Sequence, residues 1–569
     1  MKNKIICLIF AMALVIGMLA SCSGNGDSKK DPDAKRDWEE TTILYQLTEN
    51  TNGDELSSGC ARYYSGRDSK GEQLDDLVSD RNDAAYASAK VKVDYSYLPN
   101  DGDHNWGDNT NNIFKQATAG GQSNPDIFCN FAYDMTCAAI KGSFANLYST
   151  SYDSNKNTTA ENYFRFTEAD YNPDLSDPES FFDSSIAEGY FKAYMDSLSL
   201  SEGKAYCLAS DYCTDLVRAF LVVPVNVKLL SEIPVTEEYK AKGVVDIKND
   251  GVYDTYDFYE MVWDYEWTYD MIATLSAGIY QNKNTTNDTA GATTNLGDRI
   301  GFAAGTGSGL TGSGLLYTTD VKIINRADLS YPAENGTLNQ IASALYNLFY
   351  NGQNKGVCTI SSTEAKAAGY DSLVGPELIA IRSEFAKNNI LFGGVITVGS
   401  LEDSVYQGMK PSNPNEVGGF GIVPVPMYKS GLTYRTLVHN LARIVGISVV
   451  TDEFEQCTAF LDDVSRNSAE VLNEYYTVNL AAVVGGGTAG QRNIDMLNYI
   501  RNHVNDCFDK TFEDMVSFYK QTDDAQTWHK ILDGNSYMIT DMSGIYGQNA
   551  VKKNAVLKEI VAAWENLQK

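Results

Sequence analysis

Positive charge and metal-binding side chains are scarce in this chain. Lysine and arginine number 45 against 75 aspartates and glutamates, giving a formal net charge of -30. Nucleic-acid binding needs a basic face to neutralise phosphate, and this balance counts against it. Histidine occurs only four times and no CxxC spacing is present, so a zinc site has no support. P-loop, GxSxG and HExxH strings are also missing. After residue 19 no stretch is long and apolar enough to cross a bilayer. Charged residues make up only 21% and tyrosines number 36, so the acidity does not signal disorder. At roughly 100–200 residues per domain, the 569 residues provide two to four domains or lobes. A large, acidic, tyrosine-rich chain of this kind suits an exported protein that meets neutral, polar ligands.

The N-terminus sets an address. Lys2 and Lys4 precede an apolar run from Ile5 to Leu19, and Leu19-Ala20-Ser21-Cys22 follows. A run this short with these flanks reads as a cleaved signal peptide rather than a spanning helix. The four residues resemble a lipobox. That resemblance implies a bacterial lipoprotein acylated at Cys22 and held at the extracellular face of the membrane. Cleavage removes two lysines and no acid, so the mature charge falls from -30 to -32. Residues 23–37 are small, polar and charged, and read as a flexible tether. Eight cysteines remain in the mature body. Cys207 with Cys213, or Cys129 with Cys137, could pair, and buried thiols are an equal alternative.

Strand and helix signals then alternate. Thr41–Leu47 is β-branched and aromatic, Leu74–Ala89 is helical, and Val91–Tyr97 alternates apolar and polar residues. A helix near Asn112–Ala119, a Gly120-Gly121 stop and a strand at Pro125–Phe128 follow. This rhythm predicts helix-covered parallel sheets, with strands recurring at Arg299–Ala303, Gly394–Val398 and Phe420–Pro426. The last hundred residues read as mostly helical.

Several motifs, in order, resemble the family 1 extracellular solute-binding proteins, the carbohydrate-capturing lipoproteins of bacterial ABC importers. They are Asp80-Arg81-Asn82, Pro125-Asp126-Ile127, Gly203-Lys204-Ala205-Tyr206 with Val225-Asn226, Asp257–Val262 with Glu266–Asp270, Gly421–Pro426, and Ser465–Tyr476. The resemblance covers nearly the whole mature chain. It implies a two-lobed α/β clamshell of the periplasmic-binding-protein type II class. Each lobe would be a mostly parallel sheet covered by helices, with extra helices at the C-terminus. The expected division is 1–21 signal peptide, 22–40 tether, 41–205 plus 447–500 lobe 1, and 206–446 plus 501–569 lobe 2. Gly203–Tyr206 and Thr433–Val445 should cross between the lobes. The implied function is capture of a sugar or oligosaccharide for an ABC permease, by a monomer that performs no chemistry and needs no cofactor or metal. The alternative is a surface glycan-binding lipoprotein working beside polysaccharide-degrading enzymes, which should be almost all helix. The chain departs from the family between Tyr148 and Ser201, which is longer than expected, and at Gly399–Glu402, which lacks a tryptophan.

A sugar is held by side-chain hydrogen bonds and stacked aromatics in a cleft. In a parallel sheet the loops at the strands' carboxyl ends line that cleft. The candidate ligand residues are Glu49 and Asn50 after the first strand, then Phe131, Tyr133 and Asp134 after the Pro125–Phe128 strand. Asp211 and Tyr212 follow the expected crossover, and Ser400 and Glu402 follow the Val395–Val398 strand. The competing reading packs Phe131 and Tyr133 under the next helix and makes Asp134 a helix cap. Ser400 with Asp403 likewise fits a capping box, and Trp267 fits core packing. Trp106 either lines the cleft or closes a turn. The spacing of Arg435, His439 and Arg443 puts all three on one strand face, either toward an acidic sugar or toward solvent.

Two sharper strings are weaker than they look. Gly307–Gly312 spells GxGxxG, but only the preceding strand of a dinucleotide site is present, so a plain glycine loop is favoured. Asp246–Asp257 resembles a calcium loop, yet Lys248 occupies a ligand position and the last ligand is aspartate, which favours an acidic surface loop.

Overall fold

The computed structural model describes residues 40–567, with Arg36, Trp38 and Glu39, apart from internal stretches of which the longest are 51–59, 101–107, 153–159, 165–188, 284–295, 410–418 and 513–542. The signal peptide, Cys22, most of the tether and Trp106 lie outside the described residues. Residues 40–569 cluster as one unit.

Ten strands build two sheets. In chain order they are β1 (Thr41–Asn50), β2 (Val91–Asn100), β3 (Ile127–Phe131), β4 (Leu221–Asn226), β5 (Ile300–Gly305), β6 (Val357–Ile360), β7 (Ile390–Phe392), β8 (Ile396–Thr397), β9 (Phe420–Pro424) and β10 (Arg443–Ile447). The first sheet has the order β10-β3-β1-β2, with β1 parallel to β2 and β3, and β10 antiparallel to β3. In β1 the alternate residues Ile43, Tyr45 and Leu47 are fully buried, as the period-2 pattern requires. Asp126, just before β3, accepts from Leu44 N (2.9 Å) and the Thr451 hydroxyl (2.6 Å). The acid of Pro125-Asp126-Ile127 thus ties three segments of this sheet together.

The second sheet is mixed. β4 has β9 on one side and β7 with β8 on the other, all antiparallel to it, while β5 runs parallel to β6 and β7. Trp267 is fully buried beside this sheet, donates Nε1–H to the Pro424 carbonyl (2.9 Å) and packs on Phe258 and Phe392. Trp267 is therefore a core residue, and Thr268 caps the helix Tyr269–Ile279 by accepting from Met271 N. Helix Gln73–Ala89 anchors the first sheet's cover through Asp80-Arg81-Asn82. There Arg81 and Asn82 are buried and donate to the carbonyls of Tyr63 (2.7 Å) and Tyr64 (2.9 Å).

Between the sheets two segments run antiparallel. Leu208 and Val445 exchange backbone hydrogen bonds (2.6 and 3.0 Å), and Leu221 N donates to Leu437 O (3.0 Å). Gly203–Tyr206 forms no strand; Ala205 O instead accepts from Leu147 N (2.6 Å). β10 belongs to the first sheet and begins at Arg443, ahead of the expected boundary at 447. None of the six cysteines with described side chains, Cys129, Cys137, Cys207, Cys213, Cys358 and Cys457, forms a disulfide, and all are buried. Among the described residues no helix is long and apolar enough to cross a membrane.

Candidate functional site

The carboxyl ends of β1 and β3, the start of β4 and the segment after β8 converge where the two sheets meet. Glu49 and Asn50 close β1, in register with Pro99 and Asn100 of β2; their side chains lie outside the described residues. A small recess of about 10 Å³, room for about one water molecule, opens beside the end of β3. Its walls are Ala132 and Tyr133 after β3, Tyr194, and Val438 and Asn440 from the antiparallel crossover. Lys510 and Thr511 complete it. Tyr133, Tyr194, Asn440, Lys510 and Thr511 thus bring two aromatic residues and three polar ones around this recess.

The expected residues divide around it. Tyr133 lines the cavity but is only 6% exposed, with its ring stacked on Phe131 at 5.9 Å between centroids. Phe131 is buried and lies beneath the Arg443 guanidinium (4.9 Å to the ring centroid). Asp134 is buried and accepts from both the backbone N–H (3.1 Å) and the hydroxyl (2.7 Å) of Thr110. It thereby caps the helix Asp108–Ala119 rather than its own helix. Burial pushes the Asp134 carboxyl up to about 6 against those hydrogen bonds.

Asp211 holds Arg501 through two hydrogen bonds, 3.1 Å to Nε and 2.6 Å to Nη2. Tyr212 is fully buried, edge-on to Tyr64 and Phe460, with Arg81 over its ring at 4.9 Å. Ser400 is half-buried in the turn Val398–Glu402, which Thr397 caps, while Asp403 caps the next turn through Val405 N (2.7 Å). The expected Ser400–Asp403 box is replaced by these two separate caps.

Glu402 ends a chain of buried charges that joins the sheets. Arg443, on β10, donates to Asp215 (2.7 Å) and to the Thr48 carbonyl of β1 (3.0 Å). Asp215 also pairs with Arg218 (3.0 Å), and Arg218 with Glu402 (2.7 Å), which accepts from the Tyr475 hydroxyl as well (2.8 Å). Two cations and two anions alternate, so the junction carries no net charge and each desolvated ion has a partner. Only Glu402 is partly exposed, at 24%.

The shared face expected for Arg435, His439 and Arg443 does not form, because a turn at 440–441 separates the first two from β10. Burial and the Lys510 ammonium hold the His439 imidazole down at about 3, so it is neutral at pH 7. In the Asp246–Asp257 loop Lys248 pairs with Asp254, and Asp246 accepts from Gly251 N (2.8 Å), as an acidic surface loop does. Among the described residues no cluster of metal-ligating side chains occurs. The motifs did not signal Tyr194, Lys510, Thr511, Asp215 or Arg218. Asn440 lies inside the stretch expected to cross between lobes, which was the available pointer to it.

No family model matches the chain, and no curated protein matches it. Among solved structures it is similar to the sugar-binding protein MalE from Xanthomonas citri, with 11% identity over 92% of this chain and 99% of that one and a TM-score of 0.49. It is also similar to the cyclic alpha-maltosyl-1,6-maltose binding protein from Arthrobacter globiformis, with 14% identity, 92% and 100% coverage and a TM-score of 0.47. A family 1 extracellular solute-binding protein from Bifidobacterium longum subsp. infantis gives 13%, 92% and 100%, and 0.41. The α/β assignment stands on the strand order and register of this chain itself.

Proposed function

We propose that this chain is a lipid-anchored extracellular binding protein that captures a sugar or oligosaccharide and delivers it to an ABC-transporter permease. The observation that carries this reading is the ordered run of motifs that resembles the family 1 solute-binding proteins, laid over two α/β sheets linked by the antiparallel segments at Leu208–Val445 and Leu221–Leu437. Tyr133, Tyr194, Asn440, Lys510 and Thr511, which line a recess beside β3, would offer rings to C–H faces and polar groups to hydroxyls at the edge of such a cleft. The motif resemblance supports the ligand class. In this reading the two sheets are the cores of two lobes that close about the crossover at Leu208–Val445 and Leu221–Leu437, and the monomer performs no chemistry. Acylation at Cys22 holds it at the cell surface. Ten strands in two sheets speak against the almost all-helical alternative.

A thermal-shift screen over mono- and oligosaccharides tests the ligand class, because a ligand that binds only the native state raises its melting temperature. No shift across neutral sugars and uronic acids overturns it. Cys22→Ser tests the anchor: the variant should leave the membrane fraction for the medium, and continued retention with lipid counts against acylation.

A further inference from the structure

The C-terminal helix Ser543–Leu567 buries one stripe: Ala550, Lys553, Leu557, Ile560 and Trp564. Spacings of three and four put all five on one face. Near the helix middle this side meets elements of the second sheet. Asn554, half-buried beside Lys553, clasps the backbone of Tyr331, accepting from its N–H (2.8 Å) and donating to its carbonyl (3.3 Å). The Lys553 ammonium lies over the ring of the same tyrosine, 5.4 Å from the centroid. Tyr331 stands between the helices Gly309–Tyr317 and Gly336–Phe349. The first accepts, through the Leu315 carbonyl, from the Tyr269 hydroxyl (2.7 Å) of the helix that packs on β5, and the second packs on β6.

Toward its end the same stripe meets elements of the first sheet. Trp564 is 5% exposed and sits edge-on to Tyr206, at 5.2 Å between ring centroids. Beside Tyr206, Ala205 donates its N–H to the Asn146 side chain (3.1 Å) and accepts from Leu147 N (2.6 Å). The helix also packs on Ala132–Ile140, which follows β3. Asn554 and Trp564 are ten residues apart, about 15 Å along a helix axis. One regular element is thus fastened to both sheets' surroundings, by a backbone clasp at one point and a ring contact at the other. We infer that Ser543–Leu567 is a brace that holds the two α/β bodies at a fixed spacing in the ligand-free chain. It needs no ligand, and so goes beyond sugar capture while resting on the same two bodies.

The test is pulsed electron–electron spin resonance on the full, ligand-free chain. Nitroxides are placed at Lys92→Cys of β2 and Lys366→Cys of the helix Ser362–Ala367, both exposed positions. A control without these two cysteines corrects for labelling elsewhere. Trp564→Ala cuts the anchor to the first body and Asn554→Ala the anchor to the second. Each should roughly double the width of the distance distribution, as the bodies rotate more freely. Lys558→Ala, on the exposed face of the helix, should leave the width unchanged. Melting temperature and circular dichroism accompany every variant. A helix that only adds stability would lower the melting temperature in both anchor variants with no change of width, and that result overturns the brace. Equal broadening in Lys558→Ala overturns it too. If Trp564→Ala does not fold, Asn554→Ala, at the half-buried clasp, decides alone. Sugar binding is read by the thermal-shift screen, so failure of the brace leaves that reading standing.

Discussion

At the scale of single residues, buried charge matters most, and each ion's partner decides its cost. Asp215 holds both Arg443 and Arg218 away from water. Removing one member of such a set strands the others, at about 3–5 kcal/mol. Asp215→Ala should therefore cost at least that much in chemical denaturation, and a loss under about 1 kcal/mol would show the chain of charges to be ornamental. Asp134 argues the other way. Its carboxyl sits near 6 in the fold against an ordinary 3.8, so the proton stabilises the folded state. That stabilisation is complete below pH 3.8 and fades as pH rises through about 6. Asp134→Asn keeps an acceptor for Thr110 and sheds the buried charge. It should raise stability at pH 8, by up to about 3 kcal/mol, with the gain vanishing near pH 4. If Asp134 also holds ligand, the same variant should weaken sugar affinity about tenfold, which titration beside melting reads separately. These two carboxylates show why site residues were only partly legible. Sequence marks Asp134 as a polar group after a strand, but whether it faces ligand or the Asp108–Ala119 helix depends on a partner 24 positions away.

At the scale of elements far more is legible in sequence, because periodicity is local. β1, β2 and β3 lie where alternation and the Gly120-Gly121 stop put them, and Trp267 and Thr268 play the packing and capping roles their types suggest. The antiparallel course of β4 was not legible. Its neighbours β7, β8 and β9 lie more than 160 residues downstream, and no local pattern encodes direction. The contact of buried Asp509 with the Ile323 and Ile324 N–H groups escaped for the same reason, since its partners lie about 185 residues away. Close packing between elements gives a sharp prediction. A β-carbon on Gly301 of β5 would stand 2.2 Å from the Cα of Ser276 in the helix Tyr269–Ile279. Backbone cannot yield as a side-chain tip does, so Gly301→Ala must lift that helix off the second sheet, at about 3 kcal/mol. Substitution without loss of melting temperature would mean that the helix and β5 are not in this contact.

For the whole molecule, two long-range features combine: a large negative charge and two sheets joined by a narrow crossover. A net charge of -30 repels anions at a distance, so on the proposed reading neutral sugars should bind better than their uronic acids. The Lys510 ammonium opposes this locally, and screening the field with salt separates the two. Raising ionic strength should improve uronic acid affinity if the global field dominates, and reduce it if the Lys510 contact does. Closure is the remaining consequence. Backbone hydrogen bonds at Leu208–Val445 and Leu221–Leu437 hold the crossover, while Arg218, Asp215 and Arg443 link side chains across the same place. In the proposed clamshell, rotation about this crossover would leave both sheets intact. A ligand that touches both lobes should favour the closed arrangement because only there are both sets of contacts made. Small-angle scattering should then show a smaller radius of gyration at saturating sugar than without it. The same sugar should leave the radius unchanged in Tyr133→Ala with Asn440→Ala, at concentrations that saturate the wild type. A wild-type radius that does not move at saturation would mean that the lobes are already closed around an open-mouthed pocket, and that capture proceeds without a clamshell.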